Sequence, residues 1–297
     1  MPLRVFILLQ DGRLGNQILQ YFSACEASNS SWLILLGYSQ LRVLLRIPTS
    51  RQIFLPSFFD LILKILNPLR HRYRYKKDLP GPFVDLVTEQ PISTLNPSAP
   101  VYLTTKNIAP FQIFHNFFAL HQSLHKQRLI QNAQVSSSYK QQSIHWLKSH
   151  SANLDRTAFV HIRLGDFQQL SRDNTPYVLS PSYYRNALSK LLSLSLIDDL
   201  ILLTDADDAS HALSLLPKTN LRIIPGPNNP LLAWAVMNHL RYGILSASTF
   251  SLSAVLVGLD NKHSYHYVRP AAWPSSGYID QGISRNCQFN ELIIADS

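Results

Sequence analysis

Apolar residues along this chain come in short runs closed by polar turns, and the runs alternate with stretches of helical spacing. Val5 to Leu9 is wholly apolar and ends at Asp11-Gly12, the pattern of a parallel strand buried on both faces. Asn16 to Ala27 then repeats its apolar residues with a helical period, so the chain opens as strand, glycine turn and helix. Trp32 to Leu36 reads as a second strand, and Phe54 to Leu69 as a helix whose only polar stripe is Asp60, Lys64 and Asn67. The basic run Arg70 to Lys77 follows. Asp78 to Pro100, rich in Pro, Ser, Thr and Asn, reads as loop, and Asn107 to His150 as mostly helix.

The alternation is clearer in the second half. Ala158 to Ile162 is a short buried strand, and Ser180-Pro181 places an N-cap and a first-turn proline before a helix from Ser182 to about Leu196. Leu200 to Leu203, Leu221 to Ile224 and Gly243 to Leu245 read as strands, with helices at Asp208 to Leu216, Pro230 to Leu240 and Thr249 to Gly258. Strands alternating with helices predict a doubly wound parallel sheet. Each half has its own alternation, so the expected architecture is α/β: two Rossmann-like domains with a cleft between them. The expected boundary divides residues 1–153 from 154–297, and the C-terminal segment is a candidate to pack back on the first domain.

Composition narrows the class. The chain has 297 residues, 46% hydrophobic and 15% charged, a balance that excludes disorder, collagen and coiled coil. Two cysteines, Cys25 and Cys287, provide neither a disulfide framework nor a cysteine zinc site and point to a reducing compartment. Asp11, Gly12 and Arg13 interrupt the apolar start before a signal-peptide core completes. No apolar run reaches the roughly 18 to 20 residues of a membrane span, so the expectation is a cytoplasmic protein. Residues 1–150 carry 16 Lys+Arg against 6 Asp+Glu, and residues 151–297 carry 11 against 12, which places the whole net charge of +9 in the first half. Such asymmetry suits a nucleic acid, an anionic membrane or a phosphate-bearing ligand. Tyr73 and Tyr75 within the basic run would suit base stacking, but no nucleic-acid motif accompanies them, and no nucleic-acid partner is expected.

In doubly wound folds ligands sit at the carboxyl ends of strands, so chemistry is sought in the loops that follow them. Gly12-Arg-Leu-Gly-Asn-Gln17 is neither a dinucleotide fingerprint nor a P-loop. It reads either as a tight turn with Asn16 as N-cap, or as a backbone approach to a ligand oriented by Asn16 and Gln17. In His161-Ile-Arg-Leu-Gly-Asp166, strand alternation puts His161 and Arg163 on one face, where the arginine fork suits a phosphate. The same arginine with Asp166 also reads as an ion pair holding a turn. Asp205-Ala-Asp207 has the spacing of a divalent-metal site, or compensates a helix dipole. Ser246 to Ser251 leads into a helix whose free N–H groups form an anion cradle or are capped by Ser248. There is no GxSxG elbow, and no Glu follows His121 as a metalloprotease helix with His125 would need.

With those loops read, the sequence resembles the α-1,2-fucosyltransferases, family 11 of the glycosyltransferases. Gly12 to Gln17 with Gln20-Tyr21 is similar to the family's GRLGNQ-x-x-QY motif, His161 to Asp166 to HxRRGD, Leu203-Thr-Asp205 to FSD, and Ser248-Thr-Phe-Ser251 to NSTFSWW. Tyr177 to Tyr184 adds similarity; Ser28 to His150 adds little. The resemblance implies a GT-B fold and inverting transfer of L-fucose from GDP-β-L-fucose to the 2-hydroxyl of a terminal β-galactoside, with no metal or other cofactor. It implies that Arg163 holds the β-phosphate, that Ser248, Thr249, Phe250 and Asp205 line the nucleotide site, that Arg13, Gly15 and Gln17 bind substrate, and that Asn16, His161 and Asp166 join Arg163 in catalysis. Departures from the family pattern are Leu164 for its second arginine, Ala247 for the Asn before STF, Leu252-Ser253 for the tryptophan pair and Ala233 for an upstream acidic residue. Candidates for the base that takes the acceptor proton are His161, Asp166 and Asp11.

Two rival readings remain open at this level: a metal-dependent GT-A transferase using Asp205 and Asp207, and a non-catalytic binder of glycans or membranes. A separate expectation is peripheral contact with the inner face of an anionic membrane through Phe54 to Lys77, near a lipid-linked glycan acceptor; burial of that helix between domains is the alternative.

Overall fold

The computed structural model describes residues 5–10, 12–28, 32–46, 52–54, 84–87, 111–114, 130, 133–150, 153–172, 175–258, 265–270 and 290–294. The chain divides into two units, Met1–Gln134 and Val135–Ser297.

The first unit carries a five-stranded sheet in the order Gln52–Phe54, Trp32–Leu36, Val5–Leu9, Phe111–Phe114, Val84–Val87, with every pair parallel. The first two predicted strands form as read, and helix Leu14–Ser28 returns the chain between them. This helix buries Leu14, Ile18, Leu19, Phe22 and Ala24, while Phe6, Leu8, Leu33 and Leu35 supply the buried strand positions. Two strands fall where the pattern suggested otherwise: Val84–Val87 lies in the expected loop, and Phe111–Phe114 in the expected helical stretch. Four-residue apolar runs do not distinguish the two periods, and parallel pairing with a distant strand decides them. Phe54, expected to open a helix, ends strand Gln52–Phe54; the rest of the apolar helix and its basic tail, residues 55–77, lies outside the described residues.

The second unit carries a six-stranded parallel sheet in the order Arg222–Pro225, Asp199–Thr204, Thr157–Ile162, Tyr242–Ile244, His266–Pro270, Asn290–Ile294. In chain order this is 3-2-1-4-5-6, the doubly wound arrangement of dinucleotide-binding folds. Thr157–Ile162 is buried at every position, as a central strand covered on both faces must be. Helices Pro181–Leu194, Pro230–His239 and Thr249–Leu256 begin at side-chain caps from Ser180, Asn229 and Ser248, and Pro stands in the first turn of the first two.

The division between units falls after Gln134 rather than near residue 153, because helix Ser137–His150 packs on Pro230–His239 and so belongs to the second unit. The C-terminal segment Asn290–Ile294 pairs with His266–Pro270 as the sixth strand of the second sheet. Among the described residues no helix is long and apolar enough to cross a membrane.

Candidate functional site

Strands Thr157–Ile162 and Tyr242–Ile244 are parallel neighbours from which the chain departs in opposite directions, so their following loops separate and leave a crevice at this switch point. His161 bridges it. Its Nδ1 lies 2.7 Å from Ser246 Oγ, and its ring centroid lies 5.5 Å from that of Phe250. The imidazole is almost fully buried, and burial first, then the neighbouring Arg163 charge, push its pKa down to about 3. It is therefore neutral at physiological pH. Tyr183 braces the same loop by donating its hydroxyl to the Leu245 carbonyl at 2.7 Å.

Arg163 follows at the strand end with a side chain only 11% exposed. Its Nη2 contacts Asp166 Oδ1 at 2.6 Å, and its Nη1 contacts Asp205 Oδ2 at 2.6 Å. The guanidinium carbon stands 5.1 Å from the centre of the Phe167 ring, which packs edge-on against Tyr177. Asp205 also accepts the Leu164 backbone N–H at 2.8 Å. Gly165 has φ +21°, and a Cβ there would collide with the Asp205 carboxylate. Both features require glycine at that position.

Asp205 and Asp207 stand in different surroundings. Asp207 is exposed, Asp205 is engaged by Arg163 and Leu164, and Asp208 caps helix Ala209–Ser214 by accepting the Ser210 N–H at 2.8 Å. Among the described residues no three His, Cys, Asp or Glu side chains gather as a metal-binding group.

On the other side of the crevice Ser248 Oγ caps Thr249–Leu256 by accepting the Phe250 N–H at 3.3 Å. Ser248 is buried, and Thr249 and Phe250 are half-buried in the first turn. Ser253 accepts a hydrogen bond from Trp234 Nε1 at 3.0 Å and donates to the Phe250 carbonyl at 3.0 Å, locking this helix to Pro230–His239. Ala233 is buried beside Trp234 in that helix.

In the first unit the glycine turn is built differently from the reading that made Asn16 a cap. The helix begins at Leu14, with the Gln17 N–H bonded to the Arg13 carbonyl at 3.1 Å, so Asn16 lies within the first turn. Gly12 has φ +75°, and the Asn16 side chain occupies the space a Cβ would need. Gly15 and Gln17 are buried, Asn16 is half-buried and Arg13 is exposed. Gln17 Nε2 donates to the Gly12 carbonyl at 3.4 Å, while its buried Oε1 has no hydrogen-bond partner among the described residues. Gln20 and Tyr21 are anchors: Gln20 accepts from the Tyr38 hydroxyl, and Tyr21 donates to Gln52, both at 3.0 Å.

The structure thus brings His161, Arg163, Asp166, Asp205, Ser248, Thr249 and Phe250 together at one switch point, and holds Arg13, Gly15, Asn16 and Gln17 in a turn of the other unit. Asp11 lies outside the described residues. Sequence reasoning gave no role to Phe167 or to the Ser246 contact with His161; the aromatic residue just after the Arg–Asp pair was the available signal.

No protein-family model and no curated protein matches the chain. Solved structures do. POFUT1 in complex with GDP-fucose is 13% identical with a TM-score of 0.53, over 86% of this chain and 95% of that one. Fucosyltransferase NodZ from Bradyrhizobium is 13% identical with a TM-score of 0.53, over 86% and 92%. POFUT1 in complex with GDP is 11% identical with a TM-score of 0.51, over 86% and 95%. At these identities the likeness is one of fold, and by that measure the chain has the GT-B fold of these fucosyltransferases.

Proposed function

We propose that this protein transfers L-fucose from GDP-β-L-fucose to the 2-hydroxyl of a terminal β-galactoside with inversion. The observation that carries the reading is Arg163: a nearly buried guanidinium held at the end of the central strand, at the switch point of a doubly wound sheet. As the fucosyl–phosphate bond breaks, its electron pair passes to the β-phosphate oxygen, and charge grows on departing GDP. A guanidinium already in place stabilises that charge without reorganising. The first turn of Thr249–Leu256, whose Phe250 ring stands 5.5 Å from that of His161, is assigned to the diphosphate as a helix N-terminus.

His161 is assigned to holding Ser246 and the crevice, because a pKa of about 3 makes it a poor proton acceptor. The acceptor proton is assigned to a carboxylate, and Asp166 is the described candidate beside Arg163. Asn16, with Arg13, Gly15 and Gln17, is assigned to substrate in the first unit. The reading gives a metal no part, and it assigns Asp205 to Arg163, which it contacts, and leaves the exposed Asp207 without a role. NodZ, which shares this fold, is an α-1,6-fucosyltransferase; the α-1,2 linkage and a β-galactoside acceptor rest on the sequence resemblance, while membrane contact through Phe54 to Lys77 near a lipid-linked glycan acceptor rests on that apolar run and its basic tail.

The test is GDP release from GDP-fucose over a panel of β-galactosides, with and without excess EDTA, and the product linkage read by NMR. The expected result is galactoside-dependent release, unchanged by EDTA, with fucose on the 2-hydroxyl. Fucose on another hydroxyl refutes the linkage, loss of activity in EDTA refutes the metal-free route, and no release with any acceptor refutes the transfer.

A further inference from the structure

Asp205 makes contacts that neither a nucleotide ligand nor a metal ligand would need. One oxygen is 2.6 Å from Arg163 Nη1, the other accepts the Leu164 N–H at 2.8 Å, and the carboxylate fills the space above Gly165. We propose that Asp205 is a positioning residue that sets the orientation of Arg163 for the departing nucleoside diphosphate, and that it touches neither the diphosphate nor a cation. The inference rests on the fucosyl-transfer reading for its chemistry, and on the geometry alone for its mechanics.

Two carboxylates face Arg163, and their placements differ. Asp166 is three residues along the same loop with a side chain 49% exposed, so it moves with the arginine it contacts. Asp205 follows the neighbouring strand Asp199–Thr204, which pairs with Thr157–Ile162 along its whole length. It is the contact that refers Arg163 to the sheet. Because Asp205 also holds the Leu164 N–H, a single side chain sets both the loop backbone and the guanidinium that the loop carries.

An arginine has several side-chain torsions, and its charge lowers a barrier only if it is in place before charge develops. Phe167 covers the guanidinium, Asp166 and Asp205 take one terminal nitrogen each, and the buried Nε has no hydrogen-bond partner among the described residues. Of the five N–H donors of a guanidinium, most therefore remain for phosphate oxygens. Gly165 belongs to the same device: its φ of +21° and missing Cβ leave the Asp205 carboxylate its place.

The test is Asp205→Asn, which keeps the size and an oxygen for the Leu164 N–H but removes the charge facing Arg163. The Nε–H resonance of Arg163, identified by its loss in Arg163→Lys, is followed in 15N-labelled protein. It is expected to lose its order in Asp205→Asn. With GDP-fucose, kcat is expected to fall about 10-fold to 100-fold with KM little changed, the size of effect a misplaced catalytic group produces. Guanidine added to Arg163→Ala is expected to restore turnover, and to fail in Arg163→Ala/Asp205→Asn. An unchanged Arg163 resonance, a raised KM with unchanged kcat, or equal rescue in both backgrounds overturns the proposal. If wild type releases no GDP, the transfer reading fails, and the Arg163 resonance still decides whether Asp205 holds the arginine. Should Asp205→Asn not fold, Gly165→Ala, whose methyl displaces the same carboxylate, takes its place with the same readouts.

Discussion

His161 offers a measurement that needs no substrate. The imidazole is buried beneath the switch-point loops with its Nδ1 on Ser246, and its pKa falls from 6.5 to about 3 in the native state. Below pH 6.5 the unfolded chain takes up a proton at this residue, and the native chain does not until about pH 3. Stability is therefore complete above pH 6.5 and declines by one proton's worth as pH falls from there toward 3. Each pH unit in that window costs about 1.4 kcal/mol, so two units, from 6.5 to 4.5, remove about 3 kcal/mol. His161→Asn keeps a polar atom toward Ser246 and removes the titration. Urea unfolding of both proteins at pH 7.5 and 4.5 gives four free energies; the carboxylates titrate in both proteins and cancel in the comparison. Wild type is expected to lose about 3 kcal/mol more than the variant. Parallel losses, or a His161 ring that titrates near pH 6.5 in the folded protein by NMR, would refute the reasoning and restore His161 as a candidate base.

Two further outcomes follow from buried polar contacts. Tyr183→Phe removes the hydroxyl that donates to the Leu245 carbonyl, a buried contact of 2.7 Å; thermal unfolding is expected to show a loss of about 1 to 3 kcal/mol, the cost of a buried acceptor left unmet. Cys25, whose thiol burial pushes up to about 12 from 9.0 despite hydrogen bonds from Tyr21 and Gln52, should hold about 1000-fold less thiolate than an ordinary cysteine. Iodoacetamide at pH 8 followed by peptide mass spectrometry is expected to find the half-buried Cys25 far less modified in native protein than in urea; equal labelling would contradict the raised thiol pKa.

Features with a local cause were legible in the sequence. The strand Val5–Leu9, the strand read over Ala158 to Ile162 and the capped starts at Ser180 and Ser248 follow from hydrophobic period and from side chains that satisfy the backbone donors of a helix's first turn. The loops that carry the candidate site were legible for the same reason: a polar group at the end of a buried strand stands out against its neighbours. His161, Arg163 and Ser248 needed no more than that.

Tertiary structure decided what each of those groups does. His161 meets Ser246 across 85 residues of chain, and Asp205 meets the Leu164 N–H across 41, and no periodicity encodes either contact. Strands Val84–Val87 and Phe111–Phe114 exist because a parallel partner completes their hydrogen bonds, which a four-residue run cannot announce by itself. Helix Ser137–His150 joins the second unit because its buried face finds Pro230–His239, not because of any break in composition. The sequence determined which side chains stand at strand ends; packing over long separations determined that one aspartate of an apparent metal pair turns inward to hold an arginine. Local order depends on neighbours along the chain, whereas burial, pairing and charge compensation depend on residues that only the folded chain brings together.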